Sequence, residues 1–168
     1  ARNYHRTIRL ADIGKAVGLH PDYANALFKK AGIIRAYGRE ELVNIASVLS
    51  LPALKGKKVA IVTHAGGPAV MLTDVLNTNG VDIPHIAGEK ADELLQKLFK
   101  GSSVSNPIDF LATGTPQQLD YILEACENQF DVDASVVIFG SPGLTDVTDV
   151  YKLMLEKIKT TRKPIYPI

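Results

Sequence analysis

Residues 57–70 read KKVAIVTHAGGPAV, and this stretch decides the fold. The apolar, largely β-branched run at 59–62 predicts a buried strand of a parallel sheet. Gly66 and Gly67 allow a tight turn with bare backbone N–H groups, and Pro68 suits the first position of a helix. Such a helix start directs N–H groups and the positive end of the helix dipole to one point, which favours an anion. The alternative is that the glycines only make the turn.

The composition is that of an ordinary globular protein, with 46% hydrophobic and 22% charged residues in a chain of 168. The net charge of +1 does not indicate nucleic acid or a membrane surface as a partner. No apolar run approaches the roughly 18 residues that span a bilayer. The single cysteine, Cys126, cannot form an internal disulfide, so we expect a small core residue in a cytoplasmic, reducing compartment.

Periodicity divides the chain into a helical part and an α/β part. Helices are predicted near 22–31 and 39–50, and from residue 57 the pattern alternates β-α-β-α-β-α-β, which predicts a doubly wound parallel sheet. The predicted strands lie at 59–62, 81–84, 134–139 and 164–168. We therefore expect a helical segment over 1–50, a linker over 51–56 and an α/β domain over 57–168. Such a sheet normally continues with another helix and strand, so we expect a truncated domain.

Three loops are expected to meet beyond the carboxyl ends of the strands, where doubly wound sheets bind ligands. They are residues 63–68, the region 106–114 and residues 140–143. Their convergence predicts one anion-binding or interface site. The predicted phosphate-binding residues are Gly66, Gly67, Ala69, Ser141 and Gly143, with the Ser141 hydroxyl joining the backbone N–H groups.

Three polar residues near these loops are predicted to support the site. His64 directly follows the first strand and could face the anion, although a loop histidine bonded to backbone is an equal alternative. Asp109, in the stretch that begins at Asn106, could hold a partner loop or form a simple Asx turn. No P-loop and no GxGxxG sequence is present, and the four histidines lack metal-ligand spacing, so we expect no metal site.

Three motifs follow one another along the chain: IVTHAGGPAV at 61–70, NPID at 106–109 and VIFGSPG at 137–143. Motifs of this kind in this order resemble the ADP-forming acetate–CoA ligases of the NDP-forming acyl-CoA synthetase superfamily. The sequence FKKAGIIR at 28–35 also resembles the end of the preceding domain in that family. The resemblance covers about residues 26–168.

The resemblance implies a flavodoxin-like ligase domain within a larger, oligomeric enzyme. CoA-binding and ATP-grasp domains, on the same polypeptide or a partner subunit, would be its partners. The family reaction converts acetate, CoA and ATP to acetyl-CoA, ADP and phosphate through an acyl phosphate and a phosphohistidine. CoA, ATP or ADP, and Mg²⁺ would serve the full enzyme, with no cofactor held by this segment alone. The turn at Gly66 and Gly67 matches one of the helix N-termini that face the phosphohistidine.

The sequence departs from the family at the phosphorylated histidine. The family carries this histidine in a Ser-His-Thr-Gly-Ala-Leu-like motif, which aligns near residues 12–17, where this chain reads DIGKAV. Ile13 stands at the histidine position, and His20 is not a substitute for it, so the catalytic residue is not found. Two classes of function remain: a phosphoryl-binding domain of an acyl-CoA ligase, or a non-catalytic binding or scaffolding module that kept the fold and lost the histidine.

Overall fold

The computed structural model describes residues 10–18, 20–140 and 147–168. The contacts within the chain divide it into two units, one through Ser47 and one from Val48 to Ile168. Within these ranges, no helix has both the length and the apolar content that crossing a membrane requires.

The first unit is helical. Its helices are α1 (Leu10–Val17), α2 (Pro21–Lys30) and most of α3 (Arg39–Leu49). At the start of α2, the His20 ring accepts a hydrogen bond from the Asp22 N–H, and Pro21 occupies the first turn, where a missing N–H is harmless. Gly32, just beyond α2, has a φ of 70°, as the sequence pattern of a glycine helix stop predicts.

The second unit is a four-stranded parallel sheet in the spatial order β2-β1-β3-β4. The strands are β1 (Val59–Thr63), β2 (Ile108–Asp109), β3 (Ala134–Ile138) and β4 (Ile165–Pro167). β1 and β3 pair over five residues, and β2 continues the sheet on the far side of β1 beside Val62 and Thr63. The predicted parallel α/β sheet is confirmed.

The strand predicted at 81–84 is reduced to one bridge, between Lys58 and Asp82. The pairing stops because the Asn106 side chain takes over the edge of β1. Its Oδ1 accepts the Ile61 N–H at 2.9 Å, and its Nδ2 donates to the carbonyls of Val59 and Pro84, both at 3.0 Å. An amide side chain therefore fills the gap between the bridge and β2.

Four helices connect the strands: α4 (Gly66–Thr78), α5 (Glu89–Leu95), α6 (Pro116–Asn128) and α7 (Thr148–Thr160). A capping box starts α6: Thr115 Oγ1 accepts the Gln118 N–H, and Gln118 Oε1 accepts the Thr115 N–H.

The main hydrophobic core lies on one face of the sheet. Ala60 and Val62 of β1 point into it, together with buried residues of α5, α6 and α7. Val59 and Val136 point to the opposite face, where Leu72 of α4 packs on them. Helices on both faces make the sheet doubly wound, and α4 is the helix that starts directly after the central strand β1.

Candidate functional site

The N-terminus of α4 is the centre of the predicted site. α4 begins at Gly66, so Pro68 is its third residue and not, as predicted, its first. Proline is accepted there because the first four N–H groups of a helix have no partner inside it. Ala65, the N-cap residue, provides no side-chain hydrogen bond. The first turn therefore presents the N–H groups of Gly66 and Gly67, whereas Ala69 is buried, with 1% of its surface exposed.

Space around the two glycines differs. Among the described residues, a Cβ added to Gly67 would meet nothing within 4 Å, whereas a Cβ added to Gly66 would lie 3.5 Å from Asp109 Oδ2. Both glycines are exposed. A ligand can therefore approach the backbone at Gly67 without displacing protein atoms.

Thr63 fixes the turn between β1 and α4, and the sequence analysis missed it. Its side chain is fully buried; Oγ1 accepts the Ala65 N–H at 2.9 Å and donates to the Ala65 carbonyl at 2.8 Å. This use of a threonine hydroxyl two residues along the chain is a known turn signal. A polar residue at the end of an otherwise apolar strand was the sequence signal that could have identified it.

His64 joins the ends of two neighbouring strands. Its Nδ1 lies 3.2 Å from the Ile138 carbonyl oxygen, and its ring packs on Phe139 with centroids 4.6 Å apart. Because a carbonyl can only accept, Nδ1 carries the proton, which leaves Nε2 as the free ring nitrogen. The half-buried ring therefore forms a hydrogen bond to the backbone, which the sequence left open as the alternative to facing an anion.

Asp109 and Asn106 take different positions. Asp109 Oδ1 accepts the Leu111 N–H at 2.9 Å, which is the Asx turn considered from the sequence, and Oδ2 lies beside Gly66. The Asn106 amide is occupied by the backbone of β1. The structure therefore brings Asp109 to the start of α4 and engages Asn106 in the sheet.

The remaining predicted residues lie wholly or partly outside the described part of the chain. Ser141 and Gly143 lie outside the described residues, so their part in the site stays a prediction. Ile13 is within α1, although its side chain also lies outside the described part of the chain. Within the described ranges, no three His, Cys, Asp or Glu side chains are grouped so that they could hold a metal.

Cys126 is a core residue in α6. It is 1% exposed, and burial raises the pKa of its thiol to about 11, with the Ser135 hydrogen bond and Lys163 opposing that rise. A thiol with this pKa is protonated at neutral pH and is a poor nucleophile. The prediction of a small core residue is confirmed.

Comparison with known proteins tests the resemblance. No family model matches the chain. The ADP-forming acetate–CoA ligase II subunit alpha of Pyrococcus furiosus is 28% identical over 123 residues, which are 73% of this chain and 27% of that protein. The ADP-forming acetate–CoA ligase I of Archaeoglobus fulgidus is 30% identical over 125 residues, or 74% of this chain and 18% of that protein. This chain is homologous to a segment of the ADP-forming acetate–CoA ligases.

A solved structure confirms the fold of this ligase segment. The apo form of the dinucleotide forming acetyl-coenzyme A synthetase 1 of Ca. Korarchaeum cryptofilum matches with a TM-score of 0.74 and 24% identity. The match covers 88% of this chain and 33% of that structure. The chain thus spans between about a fifth and a third of these three proteins, and the resemblance read from the three motifs is confirmed.

Proposed function

We propose that this chain is part of an ADP-forming acyl-CoA synthetase, which interconverts acetate, CoA and ATP with acetyl-CoA, ADP and phosphate. Two relatives named as ADP-forming acetate–CoA ligases match about three quarters of the chain. The segment carries no P-loop sequence, so we assign ATP, CoA and Mg²⁺ to CoA-binding and ATP-grasp domains of the same enzyme or of a partner subunit.

Within that enzyme, we assign the N-terminus of α4 to binding the phosphoryl group of a phosphohistidine that another part of the enzyme supplies. The observation that supports this is the start of α4, where Gly66 and Gly67 are the first two residues and no side chain caps the helix. This start directly follows the inner strand β1. A helix N-terminus stabilises a negative charge by about 0.3–1 kcal/mol when exposed and up to about 2 kcal/mol when partly buried. Charged hydrogen bonds from the N–H groups of Gly66 and Gly67 add about 1.5–3 kcal/mol each.

A second function has one observation in its favour. Ile13 stands where the family carries its phosphorylated histidine, which fits a non-catalytic binding or scaffolding module of the same fold. The two proposals differ at α4: a scaffolding module has no need of an anion there, whereas a ligase domain requires it.

Titration of the chain with inorganic phosphate, followed by the amide NMR signals of Gly66 and Gly67, tests the phosphoryl site. We expect those two signals to shift in the wild type and Gly67→Val to weaken binding several-fold. Among the described residues a Cβ at Gly67 meets nothing within 4 Å, so the expected effect of the valine is to cover the N–H groups. Gly38→Val is the matched control, because Gly38 lies directly before α3 and a Cβ there likewise meets nothing within 4 Å among the described residues. Shifts elsewhere, with none at Gly66 and Gly67, would refute the proposal.

A further inference from the structure

The first unit contains two short helices joined by a tight connection. α1 ends at Val17 and α2 begins at Pro21, so three residues separate the two helices. Gly18 opens this connection with a φ of 70°, a left-handed conformation that glycine adopts without strain. A connection of three or four residues that contains glycine is typical of the helix-turn-helix of DNA-binding proteins.

Packing of the two helices fits the same motif. α1 and α2 contact each other, and among the described residues of these helices the buried ones are Gly14 and Ala24. A glycine inside a helix costs about 0.5–1 kcal/mol relative to alanine, and a buried one is explained where another backbone approaches closely. Ala24 therefore marks the inner side of α2, and the opposite side of α2 is open.

The open side of α2 presents polar and basic groups at helical spacing. Asp22, Ala26 and Lys29 lie about 140–160° around the helix from Ala24, and all three are exposed. Lys30 follows in the last turn and is exposed as well. Lysines of this kind contact phosphates, and a carboxylate such as that of Asp22 can accept a hydrogen bond from the N4 amino group of cytosine.

Charge along the chain favours the same partner. Residues 1–35 have seven Lys or Arg and two Asp or Glu, a net charge of +5, whereas the other residues have 12 and 16, a net charge of −4. The net charge of the whole chain therefore conceals a basic segment that includes both helices. A concentration of positive charge on one segment attracts the phosphate backbone of nucleic acids.

We infer that α1 and α2 form a helix-turn-helix that binds double-stranded DNA, with α2 in the major groove. The major groove of B-DNA is about 12 Å wide and admits an α-helix, whose diameter is about 10–12 Å. The major groove of double-stranded RNA is too deep and narrow for side chains to read, so this geometry favours DNA. The stretch at 12–17 that departs from the ligase family lies within α1. The inference thus goes beyond the proposed ligase function and does not depend on the start of α4.

The test measures binding of the full chain to a labelled DNA duplex of mixed sequence and about 30 base pairs, by fluorescence anisotropy, between about 50 and 200 mM salt. We expect wild type to bind with a Kd of about 1–100 μM at physiological salt and more tightly at low salt. Ala26→Glu places a carboxylate in the middle of the open side of α2. Ala87→Glu is the matched control, because Ala87 is exposed in the second unit and the charge change is the same.

Ala26→Glu should weaken binding by about tenfold or more, and Ala87→Glu should stay within about twofold of wild type. A second variant combines Lys29→Gln and Lys30→Gln; it should reduce the slope of log Kd against log salt by about 2, one for each lost phosphate contact. Lys90→Gln with Lys100→Gln, two exposed positions of the second unit, should leave that slope unchanged.

Three results would overturn the inference. They are no binding of wild type at low salt, equal losses for Ala26→Glu and Ala87→Glu, and tighter binding to the single strand of the same sequence than to the duplex. Far-UV circular dichroism checks that the variants keep their helices, and the lysine variant is an independent test if Ala26→Glu does not. The outcome is separate from phosphate binding at Gly66 and Gly67, so either proposal can fail while the other stands.

Discussion

Replacing Asn106 should destabilise the sheet more than its half-buried position indicates. Its amide satisfies the N–H of Ile61 and the carbonyl of Val59, and these two residues are 0% and 2% exposed. Asn106→Gly leaves both backbone groups without this partner. Each buried unsatisfied group costs about 1–3 kcal/mol, and water that enters the vacated space recovers part of that, so we expect a net loss of about 2–4 kcal/mol.

Asn106→Ala separates hydrogen bonding from backbone strain. Asn106 has a φ of 69°, in the left-handed region that glycine and asparagine tolerate and alanine does not. The alanine variant should therefore be less stable than the glycine variant by about 1 kcal/mol. The reverse order would show that backbone conformation at this position contributes little.

Urea unfolding followed by far-UV circular dichroism measures these losses. With a slope near 2 kcal/mol/M, Asn106→Gly should lower the midpoint by about 1–2 M. Asn77→Ala, at an exposed position in α4, is the control and should change stability by less than about 0.5 kcal/mol. An unchanged midpoint and slope for Asn106→Gly would refute the interpretation of Asn106 as the connection between the bridge and β2.

Three further predictions follow from the structure. Cys126 should resist alkylation at pH 8 in the folded chain and react once urea unfolds it, since burial raises the pKa of its thiol to about 11. Burial alone would raise the pKa of Glu127, but hydrogen bonds from Arg162 and Lys163 outweigh it and hold that pKa below its usual range. The free energy of unfolding of wild type should therefore exceed that of Glu127→Gln by its full amount at neutral pH. This difference should shrink as acid protonates the Glu127 carboxylate in the folded chain. Incubated with ATP and Mg²⁺, the chain should acquire no acid-labile phosphate by mass spectrometry; stoichiometric label on a histidine would contradict the alignment that places Ile13 at the family's histidine.

The central elements of the fold were predictable because their signals are local. β1 and β3 are short apolar runs rich in β-branched residues, and a capping box in the sequence marks the start of α6. β2 has two residues, and nothing in its own sequence distinguishes it from the stretch at 81–84 that was predicted instead. The choice between them depends on the Asn106 side chain reaching β1, a contact across 45 positions of the chain.

In the candidate site, too, the features set by local sequence were predictable and those set by long-range contacts were not. The start of α4 within a few residues of Gly66 follows from the double glycine and proline, although the exact first residue does not, because proline is compatible with several positions in a first turn. The approach of Asp109 to Gly66 depends on β2 lying beside β1, which the order of elements along the chain does not specify. Thr63 lay within the quoted stretch, and its hydroxyl bonds required only local geometry.

If α4 binds the phosphoryl group as proposed, this segment supplies one part of a catalytic site and not all of it. Positioned backbone donors of this kind contribute about 3–4 kcal/mol to transition-state stabilisation, whereas enzymes lower barriers by about 8–23 kcal/mol. Phosphoryl transfer takes the rest from metal ions, basic side chains and a positioned acceptor. Next to Gly66 the chain also places the carboxylate of Asp109, whose negative charge weakens the attraction of this turn for an anion. In the proposed function the start of α4 is therefore a half-site, and its activity depends on the protein surface that completes it.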